Sequence, residues 1–142
     1  VIEDGLAHRP VLGADTIGII DGDVLEKPLN QEDATAMLKR LSGRAHQVVT
    51  AVSLAYEDDI DTRVSVTNVH FRELSESEIT EYWLTGEPAD KAGSYAIQGL
   101  GAVFVARLEG SYSGVVGLPI ESTIDLLKAF SVRWWQPKEC FS

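Results

Sequence analysis

Four short polar stretches interrupt otherwise apolar or turn-forming sequence, and each carries side chains suited to chemistry. The first, Gly13-Ala14-Asp15-Thr16, directly follows an apolar run. A carboxylate at a strand end is a common position for a general base or a metal ligand in α/β domains. The alternative is a carboxylate that caps the next turn. The second stretch is Glu26-Lys27-Pro28, where the proline disfavours helical backbone for Lys27. Such restriction can aim an ammonium group at a phosphate, although most lysines are simply solvated.

The third stretch runs from Gly86 to Gly99 and holds Asp90-Lys91-Ala92-Gly93 and Ile97-Gln98-Gly99. Its glycines let backbone approach a ligand closely, and Gln98 has the donor and acceptor needed to read a base edge. The G-x-x-x-x-G-K-[ST] order of a Walker A loop is absent. A plain surface loop fits these residues as well. The fourth stretch, Gly110 to Pro119, reads as a tight backbone passage with a structural role. His8, His46 and His70 lack H-E-x-x-H or other metal-ligand spacing, and we read them as surface or strand residues. Cys140, the single cysteine, has no partner for a nucleophilic role and fits a reducing compartment.

The elements around these stretches follow from periodicity and turn chemistry. Val11 to Gly13 and Ile17 to Ile20 read as two buried strands, or as one strand broken at Asp15-Thr16. Asp21-Gly22-Asp23 is a turn signal before an extended Val24-Leu25. Asn30 is the expected N-cap of a helix over Gln31 to Leu41, whose core face carries Ala34, Met37, Leu38 and Leu41. His46 to Ala55 and Thr62 to Phe71 predict a hairpin, and Ser75 with Glu78 predicts a capping box opening a second helix. Gly93 to Gly101 predicts a loop or short helix, Ala102 to Leu108 a strand, and the residues after Pro119 a third helix. Strands interleaved with helices make an α/β domain, and no linker or repeat divides it.

A chain of 142 residues with 44% hydrophobic content can bury a core without disulfides or metals. No run approaches the length of a membrane-spanning helix, so no membrane partner is expected. The formal net charge of −10 repels nucleic-acid polymers, which need clustered Lys and Arg. A small phosphate ligand stays compatible with that charge where a few lysines converge or a divalent cation bridges.

Taken as an ordered set, the motifs resemble the Maf, or septum-formation, family. They are Gly13-Ala14-Asp15-Thr16, Leu25-Glu26-Lys27-Pro28, Leu41-Ser42-Gly43 with His46, Asp90-Lys91-Ala92-Gly93, Ile97-Gln98-Gly99, and Gly110-Ser111-Tyr112 with Val115 to Pro119. The resemblance spans about Val11 to Leu127. It implies a cytoplasmic nucleoside triphosphate pyrophosphatase that uses a divalent cation, Mg²⁺ or Mn²⁺, and frequently forms homodimers. It also implies a single domain with a mixed, elongated β-sheet flanked by helices and a nucleotide cleft. The Ala-Asp-Thr form of the first motif resembles the branch acting on dTTP and UTP. By this resemblance Asp15 is the proton acceptor or metal ligand, Lys27 and Lys91 neutralise phosphate charge, and Thr16 with Gln98 select the base.

The sequence departs from the family pattern in three residues and one absence. Asn30 stands where Asp is usual, and Ala96 and Gly114 replace commoner residues. The family's opening Ser-x-Ser-Pro-Arg-Arg-like loop is not among these residues. The expectation is therefore one N-terminally truncated domain over residues 1–142, short of an arginine clamp on the triphosphate. A second reading is a catalytically silent binding or regulatory protein in cell division. A third is an inosine triphosphatase-like enzyme, against which Thr16 and Gln98 weigh.

Overall fold

The computed structural model describes residues 9–135; His8 and Cys140 lie outside that range. Strand β1 (Val11–Ile20) runs without a break through Asp15 and Thr16, in continuous antiparallel register with β3 (Ala45–Tyr56). Asp21 and Gly22 both take positive φ, of 50° and 82°, and turn the chain into β2 (Asp23–Leu25). Two positive φ values are what a two-residue hairpin turn requires, and Asp-Gly suits them. Strand β3 then turns through Glu57 and Asp58 into β4 (Asp59–Phe71), which pairs with β5 (Val105–Glu109). The sheet order is β2-β1-β3-β4-β5, and each of these pairings is antiparallel. An α/β domain is thus present, with its described strands antiparallel where the family resemblance implies a mixed sheet. Tight hairpin turns impose that direction at two of the four junctions.

Alternation along β3 sorts its side chains sharply. His46, Val48, Thr50, Val52 and Leu54 are all buried on the inner face. There α1 (Gln31–Leu41), α2 (Glu76–Leu84), α3 (Tyr112–Val116) and α4 (Ile120–Ala129) provide the helical layer. A main core gathers Ile20, Leu25, Leu38, Leu41, Val69, Phe71, Ile79 and Phe104, and a smaller one joins Val52 and Leu54 to Leu126. Each fully buried aliphatic side chain stabilises by roughly 1.5–3 kcal/mol relative to exposure. The outer sheet face leaves Ile60, Val64 and Val66 exposed. No helix among the described residues is long and apolar enough to cross a membrane.

Helix starts follow the sequence closely. The Asn30 side chain accepts from the Asp33 N–H at 2.9 Å, and Ser75 with Glu78 forms a full capping box. Three local expectations shift. Strand β1 is largely exposed rather than buried, because β2 covers only its last three residues on one side and its outer face is open. Met37 is half-buried, its sulfur accepting from the Ser94 hydroxyl at 3.1 Å. The strand expected from Ala102 begins only at Val105, because Leu100–Phe104 forms a 3₁₀ turn. Glu87 accounts for that turn: its carboxylate takes the Leu100 and Gly101 N–H groups, each at 2.9 Å. The Gly110–Pro119 passage contains α3, capped by Ser111 accepting from the Gly114 N–H.

Candidate functional site

A cleft of about 260 Å³ opens between the inner face of β1–β3 and the segment Lys91–Gln98. Thr16 and Gly18 of β1, and His46 and Val48 of β3, form its floor. Gly18 lets Leu25 pack closely against that floor, since a Cβ there would meet Leu25 Cδ1 at 3.2 Å. Lys91, Tyr95 and Gln98 stand on the facing segment, with Val115 and Val116 of α3 closing one end. Thr16, Lys91 and Gln98 therefore line one space, although up to 82 residues separate them.

Each is held differently. Thr16 Oγ1 lies 2.9 Å from Thr50 Oγ1, and the Thr50 hydroxyl donates to the Gly114 carbonyl at 2.6 Å. Lys91 Nζ contacts Asp90 Oδ1 at 2.8 Å and keeps that carboxyl below its usual range through hydrogen bond and charge, helped by the charge of Lys27. Lys27 is not a wall residue of the cleft, but its loop is tied to the Lys91 segment by the Gly93 N–H donating to the Glu26 carbonyl at 3.1 Å. Gln98 sits exposed on a turn closed by the Gly99 N–H on the Ala96 carbonyl at 3.2 Å.

Asp15 lies elsewhere. It neighbours Thr16 on β1 and so takes the opposite sheet face, opposite Ala51, with its Oδ1 accepting from the Thr16 N–H at 3.1 Å. Strand β2 pairs only with Gly18 to Ile20, so among the described residues β1 is the sheet edge at Asp15. Among the described residues, no group of three or more His, Cys, Asp or Glu side chains could hold a metal ion. Asp15 offers a single hard carboxylate on the face opposite the cleft. That suffices for Mg²⁺ or Mn²⁺ arriving on phosphates, since Mg²⁺ is commonly held by one or two carboxylates plus substrate oxygens and water.

Sequence reasoning missed the buried supports of this cleft. His46 is only 3% exposed; its Nε2 lies 2.7 Å from the Tyr95 hydroxyl, and its Nδ1 has no hydrogen-bond partner among the described residues. Burial, with a smaller push from His70, lowers the His46 pKa to about 4, so the ring is neutral. It packs edge-on against Phe71 and Tyr95, whose own hydroxyl is pushed up by burial. Tyr82 and Glu87 hold the far side of the Gln98 turn, with the Tyr82 hydroxyl also accepting from the Ala96 N–H at 3.1 Å. One signal was available: His46 and Thr50 alternate with Val48 and Val52, which puts two polar groups on an apolar face.

A family model described as "Maf-like protein" matches residues 2–130. The chain is 61% identical over 127 residues to the dTTP/UTP pyrophosphatase of Saccharophagus degradans, covering 89% of this chain and 60% of that protein. It is 54% identical over 125 residues to the dTTP/UTP pyrophosphatase of Hahella chejuensis, covering 88% and 62%. With the protein of the same name from Aliivibrio fischeri it shares 55% identity over 123 residues, covering 87% and 64%. The chain thus spans about three-fifths of the length of these curated relatives.

Proposed function

The chain belongs to the Maf family, and on that footing we propose that the protein hydrolyses dTTP and UTP to the monophosphate and pyrophosphate. The observation that carries this reading is the meeting of Thr16, Lys91 and Gln98 in one cleft. The base enters the cleft, where Thr16 and Gln98 present hydrogen-bonding groups to its edge. Lys91 and Lys27 neutralise the phosphates at the mouth, a charge effect that stabilises the transition state of such transfers. A triphosphate leaving the cleft past β1, an edge among the described strands at this point, comes within reach of Asp15 on the other face. Water attacks the α-phosphorus, its proton passes to the Asp15 carboxylate, and the α–β bridging oxygen leaves with the bonding pair as part of pyrophosphate. A divalent cation, held by Asp15 and phosphate oxygens, would supply further charge neutralisation. A cytoplasmic setting belongs to the same reading, because nucleoside triphosphates are held there. So does a homodimer, which the exposed Ile60, Val64 and Val66 would favour.

The alternative, a catalytically silent binding protein, draws on the opposite faces taken by Asp15 and Thr16. One assay separates the two readings: pyrophosphate release from dTTP and UTP with Mg²⁺ or Mn²⁺, run beside Asp15→Asn. Turnover that falls by about 10²-fold or more in the variant, with its melting temperature unchanged, supports the enzyme. Nucleotide binding without turnover in either protein supports the silent reading.

A further inference from the structure

We infer that Thr50 determines which pyrimidine this cleft accepts, by forcing the Thr16 hydroxyl to face the base as a hydrogen-bond acceptor. The inference rests on the proposed nucleotide site and adds a residue to it that does not touch the ligand.

The direction of each bond follows from counting protons. Thr50 is fully buried, with its Oγ1 2.6 Å from the Gly114 carbonyl and 2.9 Å from Thr16 Oγ1. A carbonyl only accepts, and a hydroxyl carries one proton. Thr50 therefore gives its proton to Gly114, and its bond with Thr16 must run from Thr16 to Thr50. The one proton of Thr16 points into the sheet, and lone pairs are what it turns to the cleft. Two features fix this relay. Thr16 and Thr50 are direct partners in the β1–β3 register. Gly114 lets α3 lie close on the sheet, since a Cβ there would come within 3.0 Å of Ser65 Oγ.

A committed acceptor distinguishes bases in a way that Gln98 cannot. Uracil and thymine carry a proton on N3 between two carbonyls, whereas cytosine has a bare N3 lone pair. Set against N3, Thr16 satisfies the first and opposes the second. Gln98 has both a carbonyl oxygen and an amide nitrogen, and by turning its terminal group it serves either an exocyclic oxygen or an exocyclic amine. Thr50 thus acts as a positioning residue for specificity.

The test is equilibrium binding of UTP and CTP to the chain, to Thr50→Val, to Thr50→Ser and to Thr16→Val. The wild type is expected to prefer UTP. Thr50→Val, which frees the Thr16 proton, should lower the UTP:CTP affinity ratio by about tenfold. Thr50→Ser should keep the ratio, and Thr16→Val should lose it. Because the ratio is taken on one protein sample, partial loss of folded material cannot move it. If Thr50→Val is too unstable to assay, a wild-type ratio retained by Thr16→Val overturns the inference by itself. An unchanged ratio in a folded Thr50→Val also overturns it, while leaving the pyrophosphatase reading to the turnover assay. A wild type that binds neither nucleotide overturns both.

Discussion

The Tyr82 hydroxyl donates to the Glu87 carboxylate across 2.5 Å, and this pair ties helix α2 to the turn that carries Gln98. Glu87 Oε2 also accepts from the Gly101 N–H, while Oε1 accepts from the Leu100 N–H. Burial alone would raise the Glu87 pKa; the Tyr82 hydroxyl, the two amides and the charge of Lys91 outweigh it and leave it lowered. Burial, together with the same contact, pushes the Tyr82 hydroxyl up. Gly99 and Gly101 are small because a Cβ on Gly99 would collide with Glu87, and one on Gly101 would meet Tyr82 Oη at 2.8 Å.

Replacing Glu87 with Gln removes the charge and turns a donor-bearing amide towards groups that are themselves donors. We expect a loss of about 1–3 kcal/mol, read as a lower midpoint in urea denaturation. Hydrogen exchange of the Leu100 and Gly101 amides should accelerate in the same variant. Unchanged exchange at both would show that the carboxylate does not hold the turn.

Asn30→Ala removes the acceptor that satisfies the Asp33 N–H at the start of α1. The expected cost is about 1 kcal/mol. Asn30→Asp should preserve stability, since its carboxylate keeps the acceptor and suits the positive end of the helix dipole. Thermal unfolding of the three proteins decides this, and equal stability of Ala and Asn would remove the cap from the account.

Acid should unfold the protein partly through His46. Its folded pKa is depressed from 6.5 to about 4, so the unfolded chain binds more protons between those values. Stability is therefore fully present above the unfolded value and is lost as pH falls towards the folded one, by about 3 kcal/mol at most. His46→Phe keeps a ring against Phe71 and Tyr95 but cannot take a proton. Its unfolding free energy should vary less between pH 6.5 and 4 than that of the wild type, and an identical slope would assign the acid sensitivity elsewhere.

The features legible from the residues alone are local. The Asn30 cap, the Ser75–Glu78 box and the Asp21-Gly22 turn each depend on residues at most three apart, whose side chains and φ preferences act before any tertiary contact forms. The ordered motifs likewise pointed to the family, and Thr16, Lys91 and Gln98 stood out by residue type. Tertiary structure decided how those residues meet. Thr16 reaches Thr50 across 34 residues and His46 reaches Tyr95 across 49, through strand register and helix packing that no short window contains. The same register, running unbroken through Asp15, sends that carboxylate to the face opposite Thr16. Strand alternation fixes such faces only once the strand is known to be continuous, and pairing with β3 is what makes it so.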